Sequence, residues 1–116
     1  MFHFTSERLA RALAARARDG LRVRVLLDAS QADPAFVRRL RDDGLDVRLA
    51  APAPEGARFH HKFAVLDDVA VITGSYNWTY RADAVGRENL VILRDAPSAG
   101  KFHAEFERLW TEFSRP

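Results

Sequence analysis

Residues 60–77, HHKFAVLDDVAVITGSYN, decide how this chain is read. Two short apolar runs flank Asp67-Asp68, the pattern of two strands joined by a two-residue hairpin turn. On that pairing Leu66 faces Val69, Lys62 faces Thr73 and His60 faces Ser75. Side chains two apart share one face of a strand, so His60, Lys62, Ser75 and Asn77 are expected to converge at the open end. An imidazole, a cation and two hydrogen-bonding groups in one patch suit a phosphate. Asp67 lies five residues beyond Lys62, about 16 Å along a strand, and is read as a turn residue. Gly74 is read as a backbone requirement, for a close approach or an unusual torsion beside the patch.

Outward from this stretch, strands and helices alternate. Met1–Phe4 is apolar and too short for a full strand. Thr5 or Ser6 caps a helix carrying Leu9, Ala10, Leu13 and Ala17 at helical spacing, and Asp19-Gly20 stops it. Arg8, Arg11, Arg16 and Arg18 form its solvated side. Leu21–Asp28, LRVRVLLD, alternates arginine with apolar residues and then turns apolar, as a strand entering a core does. Asp33-Pro34 opens a second helix through Phe36, Val37 and Leu40, and Gly44 ends it. Leu45–Leu49 is a further strand, and residues 51–58 form a turn-rich connector. Residues 76–86 read as irregular, Glu88–Leu93 as a strand, and Pro97–Phe113 as an amphipathic helix whose Phe102, Phe106, Leu109, Trp110 and Phe113 form a core stripe. Interleaved elements of this kind predict a layered α/β fold, a mixed β-sheet flanked by helices, as one domain over residues 1–116.

Composition limits the function classes. With 116 residues and 47% hydrophobic content, the chain supports a modest core. It has no cysteine, which excludes disulfides and thiolate metal sites. No apolar run is long enough for a membrane helix, and no signal-peptide pattern opens the chain. A formal net charge of +2 is compatible with a polyanionic partner without demanding one. Lysine and asparagine occur only twice each, so finding Lys62 and Asn77 in one window is informative.

The spacing H-x-K, four residues, D, six residues, G-S-x-N, filled here by His60, Lys62, Asp67, Gly74, Ser75 and Asn77, resembles the HKD motif of the phospholipase D superfamily. The likeness extends to FTSERLARAL and GLRVRVLLD before the motif and to Glu88-Asn89 after it. It is nearest to the single-motif bacterial endonucleases and the mitochondrial cardiolipin hydrolase-like members. The resemblance implies a metal-independent phosphodiesterase needing no cofactor, working as a homodimer with His60 of each chain in one site. One His60 would attack phosphorus and the other protonate the leaving oxygen. Lys62 and Asn77 would hold the non-bridging oxygens, Ser75 would add a hydrogen bond, and Glu88 would accept from the far ring nitrogen of His60. Nucleic acid is the expected substrate. Phospholipid is the alternative, and an inactive phosphate-binding module the third reading. Measured against the family, the first strand is short at Met1–Phe4, which reads as truncation. A cytoplasmic location is the default, with a periplasmic or secreted one if a signal peptide preceded Met1. His61 faces away with Phe63 and Val65, His3 and His103 have no partner by spacing, and Trp78 and Tyr80 either contact substrate or pack beneath the loop.

Overall fold

The computed structural model describes residues 1–114. In chain order it contains α1 (Glu7–Arg18), β1 (Arg24–Asp28), α2 (Pro34–Asp42), β2 (Asp46–Ala50), β3 (Phe63–Leu66), β4 (Ala70–Gly74), α3 (Tyr80–Ala84), β5 (Leu90–Leu93) and α4 (Ala96–Glu112). The short polar residues ahead of each long helix act as caps. Ser6 Oγ accepts from the Leu9 amide, Asp33 from those of Ala35 and Phe36, and Asp95 from that of Ser98. Residues 76–86, expected to be irregular, contain the five-residue α3, capped by Thr79.

β1 and β2 pair in parallel, whereas β3, β4 and β5 form an antiparallel meander. The two ladders meet through the segment Met1–Phe4. The Met1 nitrogen donates to the Leu26 carbonyl, and the Asp28 amide donates to that of Met1 at 3.3 Å. On the other side Trp78 N–H donates to His3 at 3.0 Å and Thr5 N–H to Trp78 at 2.9 Å, around a single parallel bridge between Phe4 and Trp78. Parallel and antiparallel pairing thus occur together, as the mixed architecture requires.

Helices cover both faces. Val25 and Leu27 of β1 point to one side, where they pack with Val47, α1 (Ala10, Ala14) and α2 (Val37, Leu40). Leu26 points the other way, into a second cluster with Ala50, Phe59, Leu109 and Trp110. A parallel strand apolar on both faces is the expected product of this layering. Trp78 packs edge-on against Phe4, 5.2 Å between centroids, and so belongs beneath the loop. Tyr80 is exposed.

Arg24, one arginine of an alternating strand, and His103, given no partner by the sequence reading, both have specific partners. Arg24 lies under α4, ion-paired with Glu107 and 4.9 Å from the Phe106 ring centroid. His103 donates to Asp68 at the β3–β4 turn and to Glu107 one helical turn along, at 2.8 Å. The Glu107 contact, opposed by burial and assisted by Asp68, raises the His103 pKa above its ordinary 6.5. A raised folded-state pKa means stability that is fully present below about pH 6.5 and lost as pH rises through the folded value. The melting-temperature advantage of wild type over His103→Gln is therefore expected to shrink between pH 6 and pH 9. An advantage constant across that range would contradict the coupling.

Candidate active site

The turn at the centre of the motif has the shape its residues suggest. Asp67 and Asp68 both take positive φ, 48° and 56°, and Val69 N–H donates to the Leu66 carbonyl at 3.0 Å. This suits a primed hairpin turn. The ladder, however, pairs Leu66 with Ala70 and Phe63 with Thr73. Val69 is thus an extra residue on the second strand, and the register is one residue away from the expected Leu66–Val69 pairing. A one-residue offset reverses which side chains share a face. Alternation alone does not therefore bring Ser75 and Asn77 to the face of His60 and Lys62. Asp67 lies at the far end of the hairpin as a turn residue. Asp67→Asn, which tolerates the same left-handed backbone, is expected to keep kcat within about twofold and leave folding intact. A large loss of kcat in a folded Asp67→Asn protein would give this carboxylate a chemical role.

The chain leaves strand geometry at Gly74, where φ is 149° and the backbone runs against Asn89. Ser75 N–H donates to the Asn89 carbonyl at 3.2 Å and to its Oδ1 at 3.1 Å, while Asn89 N–H donates to Ser75 Oγ at 3.1 Å. The Ser75 hydroxyl donates in turn to the Glu88 carboxylate. Both features anticipated for Gly74, a close approach and an unusual torsion, are present.

On the opposite strand Lys62 Nζ lies 3.1 Å from His60 Nε2 and 3.3 Å from Nδ1, and donates to the His60 carbonyl at 3.1 Å. Phe2 flanks the pair, with its ring centroid 4.4 Å from that of His60 and 5.0 Å from the Lys62 ammonium. Burial holds the Lys62 pKa below its ordinary 10.5, and the Glu88 carboxylate opposes that shift. Glu88 thus links the Ser75 side of the site to the Lys62 side. Its carboxylate is engaged by Ser75, and no hydrogen bond joins it to His60 among the described residues. Asn77 sits in the next stretch of chain. Its Oδ1 is buried without a partner, a demand that an entering donor or an amide flip would satisfy. His61 packs at an angle to Phe59 and edge-on to Phe63.

The result is an open shelf at the strand ends, with His60, Ser75 and Glu88 exposed. An ammonium beside an imidazole and a serine hydroxyl can together receive an anionic tetrahedral group, to which the Asn77 amide would donate through its NH2 after a flip. Among the described residues, no group of three or more His, Cys, Asp or Glu is placed to hold a metal ion, and no helix is long and apolar enough to cross a membrane. Phe2 and Asn89 were missed by motif reading. Asn89 had a signal in its place beside Glu88. Phe2 had none, because only the tertiary fold brings it to His60.

Comparison with known proteins gives the family and the fold. Residues 1–110 match the family model described as cardiolipin synthase, PLD-like domain. Mitochondrial cardiolipin hydrolase from Xenopus laevis is 40% identical over 115 residues, covering 97% of this chain and 53% of that protein. The chain spans about half the length of the curated relatives it matches. The structure of a phospholipase D family member, Nuc from Salmonella typhimurium, superposes with a TM-score of 0.84 at 26% identity, over 95% of this chain and 74% of that one. NucT from Helicobacter pylori shares the fold, with a TM-score of 0.82 at 20% identity, over 96% of this chain and 76% of that one.

Proposed function

Because this chain belongs to the phospholipase D superfamily, we propose that it is a phosphodiesterase working through a phosphohistidine, without a metal ion, most directly on nucleic acid. The observation that carries the reading is the placement of the Lys62 ammonium against the His60 imidazole, with Ser75 and Glu88 across the shelf. A ring nitrogen of His60 attacks phosphorus, forming a P–N bond as the P–O bond to the leaving group breaks. The leaving oxygen takes a proton from a second imidazole, and water then cleaves the P–N bond. Lys62 and the Asn77 amide offset charge on the non-bridging oxygens. Ser75, held by Glu88, donates to the same group when it turns from that carboxylate.

One chain carries one such histidine, so the second comes from a second copy in a homodimer. Support for a self-association surface comes from β5, where Leu90, Val91 and Ile92 are each about half exposed on an edge strand. As a single folded domain, residues 1–116 would supply half of the composite site.

Phospholipid hydrolysis is the second reading, favoured by the curated relatives named mitochondrial cardiolipin hydrolase and by the exposed apolar Tyr80 and Val85 on the stretch leading from Asn77 to Glu88. The deciding experiment offers single-stranded DNA, single-stranded RNA and cardiolipin-containing vesicles to the protein in excess EDTA. Cleavage of nucleic acid alone is the expected result, and release from vesicles alone would transfer the mechanism to lipid. Turnover of any of them that needs an added divalent ion would remove the metal-independent mechanism.

A further inference from the structure

We infer that Asp28, at the end of β1, is the positioning residue for His60, holding the backbone that presents the imidazole. This rests on the phosphohistidine reading of the site. Asp28 is 1% exposed, and no lysine or arginine pairs with it among the described residues. A carboxylate buried without a counter-charge is costly unless hydrogen bonds satisfy it.

Those bonds come from two separated segments. Oδ1 accepts from the Ser30 amide at 2.8 Å and from the Ser30 hydroxyl, which fix the carboxylate locally. Oδ2 accepts from the Phe59 amide at 2.6 Å, across 31 residues of chain. Phe59 is the residue before His60 and the anchor of the second core cluster. It is also where the connector 51–58 returns to the sheet. The Asp28 amide meanwhile donates to the Met1 carbonyl, next to the Phe2 ring that flanks His60. The backbone just before His60 and the backbone just before Phe2, whose ring flanks the imidazole, are therefore both tied to one residue. Burial pushes the Asp28 carboxyl up, but the Ser30 hydroxyl and the Phe59 and Ser30 amides outweigh it and leave the pKa below its ordinary 3.8. Asp28 is thus an anion, and an acceptor on both oxygens, throughout the neutral range.

Asp28→Asn keeps the shape but turns one acceptor into a donor. With the amide oxygen on Ser30, the NH2 group meets the Phe59 N–H donor against donor, and residues 59–62 are released. The expected result is a fall in kcat of about 10–100-fold on bis(4-nitrophenyl) phosphate with KM within about threefold, since small misplacements of a reacting group cost this much. The His60 imidazole signals in 15N–1H spectra should move and broaden while those of His103 stay put. Ser30→Ala, which leaves the Phe59 link intact, should lower the melting temperature without that loss of kcat.

His60→Ala run alongside separates the two ideas. Full activity in His60→Ala would sink the phosphohistidine reading, and the imidazole spectra alone would then decide the positioning. A normal kcat, or unmoved His60 signals, in folded Asp28→Asn would overturn the inference. Should Asp28→Asn not fold, hydrogen exchange of the wild type decides. The Phe59 amide is expected to exchange as slowly as those of the β1–β2 ladder, and exchange as fast as residues 51–57 would overturn the proposal.

Discussion

Replacing His60 with alanine is expected to lower phosphodiester cleavage by roughly 10⁴-fold, the scale seen when a covalent nucleophile is removed. Stability should hardly change. His60 is exposed, and its side-chain contacts are an edge approach to Phe2 and the Lys62 ammonium. Surface substitutions of that kind stay within about 0.5 kcal/mol. The two results together would separate chemistry from folding, because a core mutation would move both. The proposed composite site adds a sharper consequence. If wild-type and His60→Ala chains are unfolded together in equal amounts and refolded, random pairing leaves about one dimer in four with two histidines. Activity should then be about a quarter of that of the same total wild-type protein. A value near one half would mean that each chain works alone.

Gly74→Ala is expected to give the largest loss of stability, together with loss of activity. An added Cβ would lie 2.3 Å from the Asn89 carbonyl oxygen and 2.8 Å from its Oδ1, on a backbone whose φ of 149° favours glycine. The obstacle is main chain of the neighbouring strand, so rotation of a side chain cannot relieve it. Strain of this kind costs about 1–3 kcal/mol, and overpacking adds about 1–3 kcal/mol. The β4–β5 pairing of Gly74 with Leu90 must open, and the contacts joining Ser75 to Asn89 and Glu88 open with it. Denaturant unfolding should show the loss, and cleavage by the folded remainder should fall as well. An unchanged midpoint would mean that the approach of Asn89 to this strand is not a feature of the protein in solution.

Much of the architecture was legible because it depends on local chemistry. Ser6 and Asp33 cap their helices through their own side chains, and an aspartate and a glycine follow where those two helices stop. The stripe from Phe102 to Phe113 packs as its period requires, with Leu109 and Trp110 buried. The proposed site residues stand out in the sequence for another reason: the motif is a spacing, and spacing is preserved in the chain whatever the fold does with it.

What stayed hidden depended on distance or on single-residue geometry. Apolar alternation reads the same whether Asp67-Asp68 closes with Val69 paired or bulged, so the hairpin register could not be counted from the sequence. Arg24 reads in the sequence as one arginine of an alternating strand, and only the fold lays Glu107 and Phe106 of α4 over it. His103 has Glu107 at the helical i,i+4 spacing, which the sequence reading overlooked, and only the fold brings Asp68 to it across the hairpin.

The sequence by itself determined the order and intervals of the residues proposed to carry the chemistry, His60, Lys62, Ser75, Asn77 and Glu88. The tertiary structure decided how they meet. Glu88 engages Ser75, Phe2 flanks the imidazole, and Asp28 holds the backbone before it. Each of these is a contact between segments far apart in the chain, whose geometry comes from packing two faces of a sheet and not from any local preference.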